Sequence, residues 1–315
     1  MQTSKWGPGM HTVLFSIAAG YERNETRATL KRQQYKNFFK SIGYVLPCVF
    51  CRTSYDQFFE ELNIDSYMHQ KHGLVRFYYD MRQRINEKLI HQEEKKLFDT
   101  FYDLQSSISS SLSTTSSSNS SLTFWQAFRQ KARAICYTKP APPYKKVVSS
   151  VTHLQCTDVE DDLHKSIFYI AAGFDLNNTD DVVKRKQYKD FFVSLGETLP
   201  CKNCRGNYQQ AFEQLDIEEY MSETCGLVRF YYELRELIKQ NHIFEEEKEL
   251  SRSFAELSKR MKPQTRQFWE IFRGRSHQIC YTSPSPPYEQ VVDDLMNHRA
   301  SCDTSMKTCR APAKK

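Results

Sequence analysis

Two stretches of this chain carry paired cysteines at a spacing that redox chemistry uses: Leu46-Pro47-Cys48-Val49-Phe50-Cys51-Arg52 and Leu199-Pro200-Cys201-Lys202-Asn203-Cys204-Arg205. Proline fits the first turn of a helix, where its missing amide proton has no partner to lose, so Pro-Cys-x-x-Cys puts the first cysteine at a helix start. There the open amides and the positive end of the helix dipole favour a thiolate. The second cysteine follows one turn later on the same side, within reach of a disulfide. This is the geometry of a dithiol that cycles. Arg52, next to the second cysteine, either adds positive charge or stands as a solvated helix residue.

A four-thiolate zinc site is the competing use of Cys48, Cys51, Cys201 and Cys204. Their two pairs lie 153 residues apart, against about 15–20 in a zinc ribbon, and no metal is expected. A purely structural role is the third use.

The elements that must position these cysteines recur with them. His11-Thr-Val-Leu-Phe-Ser-Ile-Ala-Ala-Gly returns as His164-Lys-Ser-Ile-Phe-Tyr-Ile-Ala-Ala-Gly, at the same offset of 153. Gln34-Tyr35-Lys36-Asn37-Phe38-Phe39 returns at Gln187, and Gly73-Leu-Val-Arg-Phe-Tyr-Tyr returns at Gly226. Further on, Ile135-Cys136-Tyr137-Thr138 returns at Ile279 with an offset of 144, so the first copy holds a nine-residue insertion. The insertion falls in Gln105 to Leu122, a Ser/Thr run that is expected to be a disordered loop because it can bury nothing.

Within each copy the apolar spacing is helical throughout. Val13, Leu14, Ile17 and Ala18 mark one amphipathic helix, and Leu30, Tyr35, Phe38, Phe39 and Ile42 a second. Tyr55, Phe58, Phe59 and Leu62 mark a third, and Leu74, Tyr78, Met81, Ile85 and Leu89 a long fourth. Additional helices are expected around Phe98 to Tyr102 and Phe124 to Cys136. The fold class that follows is all-α, two tandem bundles of four to five helices over residues 1–145 and 158–296, with a flexible tail at 297–315.

Composition limits the function classes. A chain of 315 residues can bury two ordinary cores without disulfide staples. Its +6 charge, 44 basic against 38 acidic residues spread over both halves, is not the basic stripe of a nucleic-acid binder. The first fifteen residues lack the charged lead and apolar core of a secretory signal, and no run approaches the roughly 18 apolar residues of a membrane span. A soluble, cytoplasmic protein is expected, with neither nucleic acid nor membrane as partner, and ten cysteines in that compartment point to chemistry.

Trp6-Gly7-Pro8, a helix ending Ser16-Ile17-Ala18-Ala19-Gly20-Tyr21, Pro47-Cys48-Val49-Phe50-Cys51 and Asp80-Met81-Arg82-Gln83-Arg84-Ile85-Asn86 follow one another in an order that resembles the Erv/ALR flavin-dependent sulfhydryl oxidases, in particular those of large DNA viruses. The resemblance covers Trp6 to Ile90 and, more faintly, His164 to Gln240. It implies helical bundles cradling FAD, with the CxxC disulfide beside the flavin ring. It further implies contacts to FAD from Gly7, His11, Phe15, Tyr79, Arg82, Gln83 and Asn86. Protein dithiols are the implied substrates and molecular oxygen the acceptor, with a host cytoplasm or virion as location. Pairing of two bundles is implied as well, either within the chain as a pseudo-dimer or between chains as a homodimer.

Departures from the family pattern are visible. Its WxxLH is replaced by His11 and Phe15, and its HNxVN by Arg82-Gln83-Arg84-Ile85-Asn86. The second copy departs further, with Glu236 and with Val159 in place of Trp6. The first copy is therefore the expected flavin site, with Cys48 taking the attack of a substrate thiol, and Cys201 and Cys204 are a relay or a relic. Cys302 and Cys309 on the tail are shuttle candidates, and Cys136 and Cys280 read as core thiols. A flavin-free binding or scaffold protein is the alternative the departures motivate; a dithiol carrier would lack the βαβ context of thioredoxin folds.

Overall fold

The computed structural model describes residues 3–21, 28–111, 127–128, 142–151, 156–174, 181–263, 265–276 and 286–296. Every regular element among them is a helix, as the apolar spacing predicts. In order they are α1 (Thr3–Ala19), α2 (Ala28–Val45), α3 (Val49–Leu62), α4 (Ile64–Tyr67), α5 (Gly73–Ser111), α6 (Tyr144–Val151), α7 (Cys156–Ala172), α8 (Val182–Thr198), α9 (Lys202–Phe212), α10 (Ile217–Tyr220), α11 (Gly226–Ser258), α12 (Arg266–Ser276) and α13 (Tyr288–Met296). Helices α7 to α11 follow the order of α1 to α5, and α13 answers α6. No helix among the described residues is long and apolar enough to cross a membrane.

The breaks between helices have local causes. Pro47 ends α2, whose last turn closes with Leu46 N–H on the Ile42 carbonyl, and permits α3 to begin at Val49. Asn63, at φ 46°, turns the chain from α3 into the short α4. Before the long helices the chain turns through His72 and Cys225, at φ 54° and 55°. A Cβ at Gly73 would lie 1.7 Å from the Tyr67 carbonyl oxygen, and one at Gly226 1.6 Å from that of Tyr220. Only glycine fits there.

The core does not divide at the repeat boundary. Helix α2 packs along α8 and α1 along α7, so that one apolar cluster takes residues from both repeats. At its centre Phe38 stacks on Phe191 with ring centroids 6.3 Å apart, and the hydroxyls of Ser41 and Ser194 meet at 3.4 Å. Met10, Leu14 and Ile17 recur at steps of four and three on the buried face of α1, which is why that helix can lie against α7. Helix α6 packs on α1 and α5, burying Val147 with the first repeat.

Three sequence expectations change. The Ser-rich stretch is not a loop from Gln105, because α5 continues through Ser111. A Ser107 hydroxyl donating to the Asp103 carbonyl at 2.7 Å satisfies the side chain inside a helix. Phe98 to Tyr102 belongs to that same helix and forms no separate one. Leu30 is 55% exposed, because the first turn of α2 extends past the core. Residues 112–122, most of Phe124 to Cys136, Cys280 and the tail with Cys302 and Cys309 lie outside the described residues.

Phe191 is 1% exposed and touches both Phe38 and Phe192. Truncating it leaves a cavity at the seam between the repeats. Phe191→Ala is expected to lower unfolding free energy by about 3–5 kcal/mol, read from urea denaturation, with both repeats losing structure in one transition.

Candidate functional site

Each CxxC pair is built the same way. Cys48 is the N-cap of α3, with extended backbone at φ −118° and ψ 120°, and its Sγ accepts the Cys51 N–H at 3.3 Å. Cys201 caps α9 and accepts from Cys204 N–H at 3.3 Å. A sulfur thus stands where serine or aspartate ordinarily caps a helix, in the field of the open amides. The expected placement at a helix start and one turn apart is what the backbone adopts.

Two contacts hold the loop before each pair. Arg52 Nη1 donates to the Leu46 carbonyl at 2.6 Å, and Arg205 Nη1 donates to that of Leu199 at 2.5 Å. The arginine ties its own Leu-Pro-Cys loop shut, a role that the sequence did not suggest. The proline is seated by the other repeat. A Cβ on Gly20, at the end of α1, would come within 3.0 Å of Pro200 Cα, and one on Gly173, at the end of α7, within 3.2 Å of Pro47 Cα. The conserved register of the two Ala-Ala-Gly ends within this chain therefore places each dithiol against the opposite repeat.

Behind each dithiol lies a His–Tyr–Phe group with an arginine. His11 Nδ1 is 2.6 Å from the Tyr78 hydroxyl, and Phe15 meets Tyr78 edge-on at 4.8 Å. The second repeat repeats this: His164 Nδ1 is 2.7 Å from the Tyr231 hydroxyl, and Phe168 meets Tyr231 at 4.9 Å. Burial, helped by the Arg82 charge, pushes His11 down to about 3, so the ring is neutral. Burial also holds the Tyr78 hydroxyl well above its usual range. The Nε of Arg82 and the Nε of Arg235 are both buried with no hydrogen-bond partner.

The structure splits the seven predicted cofactor residues. His11, Phe15 and Arg82 gather around Tyr78. Tyr79 and Gln83 instead face α6: Gln83 Nε2 donates to the Tyr79 hydroxyl at 3.3 Å, and Tyr79 meets Tyr144 edge-on at 5.2 Å under the Arg76 guanidinium. One step along a helix turns the side chain by about 100°, so neighbours in sequence face different partners. Gly7 has open space around it, and Asn86 sits half-buried one turn beyond Arg82.

A cavity of about 260 Å³ opens at the second dithiol. Cys201, Cys204, His164, Tyr231 and Arg235 line it, with Val13, Ser16 and Ile17 of α1 closing the far side. Of this group, sequence reasoning assigned a role only to the cysteines. The offset of 153 carries His11 to His164 and Arg82 to Arg235, so the signal was present; the contribution from α1 had none. Among the described residues no three His, Cys, Asp or Glu side chains converge as a metal site, which gives the four-thiolate arrangement no geometric support.

Residues 8–105 match the model of the Erv1 / Alr family. A protein of invertebrate iridescent virus 3 named as a FAD-linked sulfhydryl oxidase is 27% identical over 84 residues, which is 27% of this chain and 55% of that protein. The chain thus spans about half the length of the curated relative it matches. No solved structure matches.

The neutral His11 links stability to pH. Its folded pKa, about 3, lies below the 6.5 of an unfolded histidine, so the unfolded chain takes up the proton first and stability falls as pH drops from about 6.5 toward 3. Between pH 7 and pH 5 the wild type is expected to lose about 2 kcal/mol more unfolding free energy than His11→Gln. Urea titrations of both proteins at the two pH values test this, and equal losses would show that His11 titrates normally.

Proposed function

We propose that the chain is an FAD-dependent thiol oxidase that makes disulfide bonds in protein dithiols. The observation that carries this reading is Cys48 capping α3 with Cys51 one turn on, inside the segment that matches the Erv1/Alr family model. The name of the viral relative supports the flavin and the reaction class.

The chain's own part is a thiol–disulfide exchange. A substrate thiolate attacks one sulfur of the oxidised CxxC pair, breaking its S–S bond and forming a mixed disulfide. The second substrate thiolate then attacks the substrate sulfur of that bond. Oxidised substrate leaves, and the CxxC pair keeps two electrons as a dithiol. At the N-cap the departing sulfur is stabilised as a thiolate by the helix amides, which makes it a better leaving group. Cys48 is 0% exposed whereas Cys51 is half-buried, so an incoming thiolate reaches Cys51 in the first repeat more readily than the Cys48 that the sequence favours. Cys201 and Cys204 are both half-buried.

Bound FAD would supply the two-electron chemistry that returns the dithiol to a disulfide, with molecular oxygen as acceptor and hydrogen peroxide as product. Two features of the chain fit such a group. Arg82 and Arg235 each keep a buried Nε without a partner, which an acceptor atom or anionic edge would satisfy. The cavity at the second dithiol is lined mostly by apolar side chains, which would keep water from a flat ring. His11, neutral beside Tyr78, orients that wall without adding a second charge to the one on Arg82.

Purified chain is expected to be yellow, to consume oxygen when dithiothreitol is added and to release an equimolar amount of hydrogen peroxide. Changing Cys48, Cys51, Cys201 and Cys204 together to serine is expected to bring oxygen uptake down to that of free FAD while the colour persists. Colourless protein that takes up no oxygen overturns the reading.

A further inference from the structure

The match to the Erv1/Alr family ends at residue 105, yet most of the cavity's lining lies beyond it, around Cys201 and Cys204. We propose that the second dithiol heads a ligand site shared between the two repeats, taking a flat aromatic ring system with an acceptor-bearing edge, and that the chain holds its flavin ring there. The ring's identity rests on the thiol oxidase reading; the shared site rests on geometry.

Four observations converge. The cavity, about 260 Å³, falls just below the roughly 300–1,000 Å³ of whole small-molecule sites, so it suits a ring system with the remainder of the ligand outside. Its lining is mostly apolar, from Leu163, Ile167 and Ile238 of the second repeat and Val13 and Ile17 of the first. Arg235 also lines it and keeps a buried Nε that no protein atom satisfies. Leaving such a donor unpaired is costly, and an acceptor on the ligand would satisfy it. Both cysteines border the cavity, so a ring within it would lie beside the dithiol.

The first dithiol differs in the feature that matters. Ser16 of α1 borders the second dithiol's cavity, and the same register position in α7, 153 residues on, carries the much larger Tyr169, 2% exposed. Cys48 has no exposed surface, whereas Cys201 has some. Glu236 does not line the cavity; its charge acts on Tyr232, on the side of α11 toward Tyr288.

Site-resolved alkylation tests this without relying on turnover. Flavin is removed from the full chain with chaotropic salt and gel filtration, the cysteines are reduced, and iodoacetamide labelling of each is followed by peptide mass spectrometry with and without FAD. At free FAD ten times its Kd, labelling of Cys201 and Cys204 is expected to slow roughly tenfold, with Cys51 unchanged. Ser16→Trp, which fills the slot from the first repeat, and Arg235→Met are expected to lose both the protection and the retained flavin, with thermal unfolding checked by circular dichroism. The wild-type comparison decides by itself if either variant misfolds. Protection confined to Cys51, with flavin lost in Arg82→Met and kept in Arg235→Met, overturns the shared site and leaves the oxidase reading standing. A chain that neither retains FAD nor gains protection from it overturns both.

Discussion

Packing of α2 on α8 and of α1 on α7 is the constraint on which the rest of this molecule depends. Its centre is the Phe38–Phe191 stack, both rings 1% exposed, an aromatic pair of the kind that contributes about 0.5–1.5 kcal/mol beyond the area it buries. The same seam sets the ends of α1 and α7, where Gly20 and Gly173 let the backbone approach Pro200 and Pro47. Neither CxxC is therefore positioned by its own repeat alone. A bundle that buried its core independently would need no glycine at that point.

Each cysteine cap is a departure from the best local choice. Serine, threonine, aspartate or asparagine caps a helix better than a thiol, and the difference is on the order of 1 kcal/mol per cap. Both repeats keep sulfur at that position, and both add an arginine that ties the preceding carbonyl back onto the loop. The arginine clamp and the opposing glycine together hold a loop whose cap is weak. The sequence thus departs from the best local choice twice, with the same compensation each time, which is the pattern expected of a functional position.

Much of this was legible in the chain. The offset of 153 and the helical spacing of Val13, Leu14, Ile17 and Ala18 announce two matched helical units, and Pro-Cys-x-x-Cys the start of the third helix in each. What escaped was non-local or combinatorial. Arg52 was readable as a charge beside a thiol, but its bond to Leu46 depends on how Pro47 folds the loop back. Ser107 reads as loop from composition, yet a serine can return its hydroxyl to the helix backbone, so a polar run can continue a helix that packing began upstream. Tyr79 and Gln83 look like neighbours of Arg82 in sequence and share a different face with Tyr144, a partner 65 residues away from Tyr79.

The family match and the cavity fall on different repeats, and the physics of each explains why. Similarity to a family is carried by the residues a repeat contributes to its own helices, and the first repeat keeps more of them, with Trp6 buried and an amide at Gln83 where the second has Val159 and Glu236. Room for a ligand depends instead on what the other repeat presents across the seam. There the second dithiol faces Ser16, and the register places Tyr169 for the first. Once two copies share one chain, each can change the other's site without changing its own pattern, so the half that resembles the family better need not be the half with space beside its sulfurs.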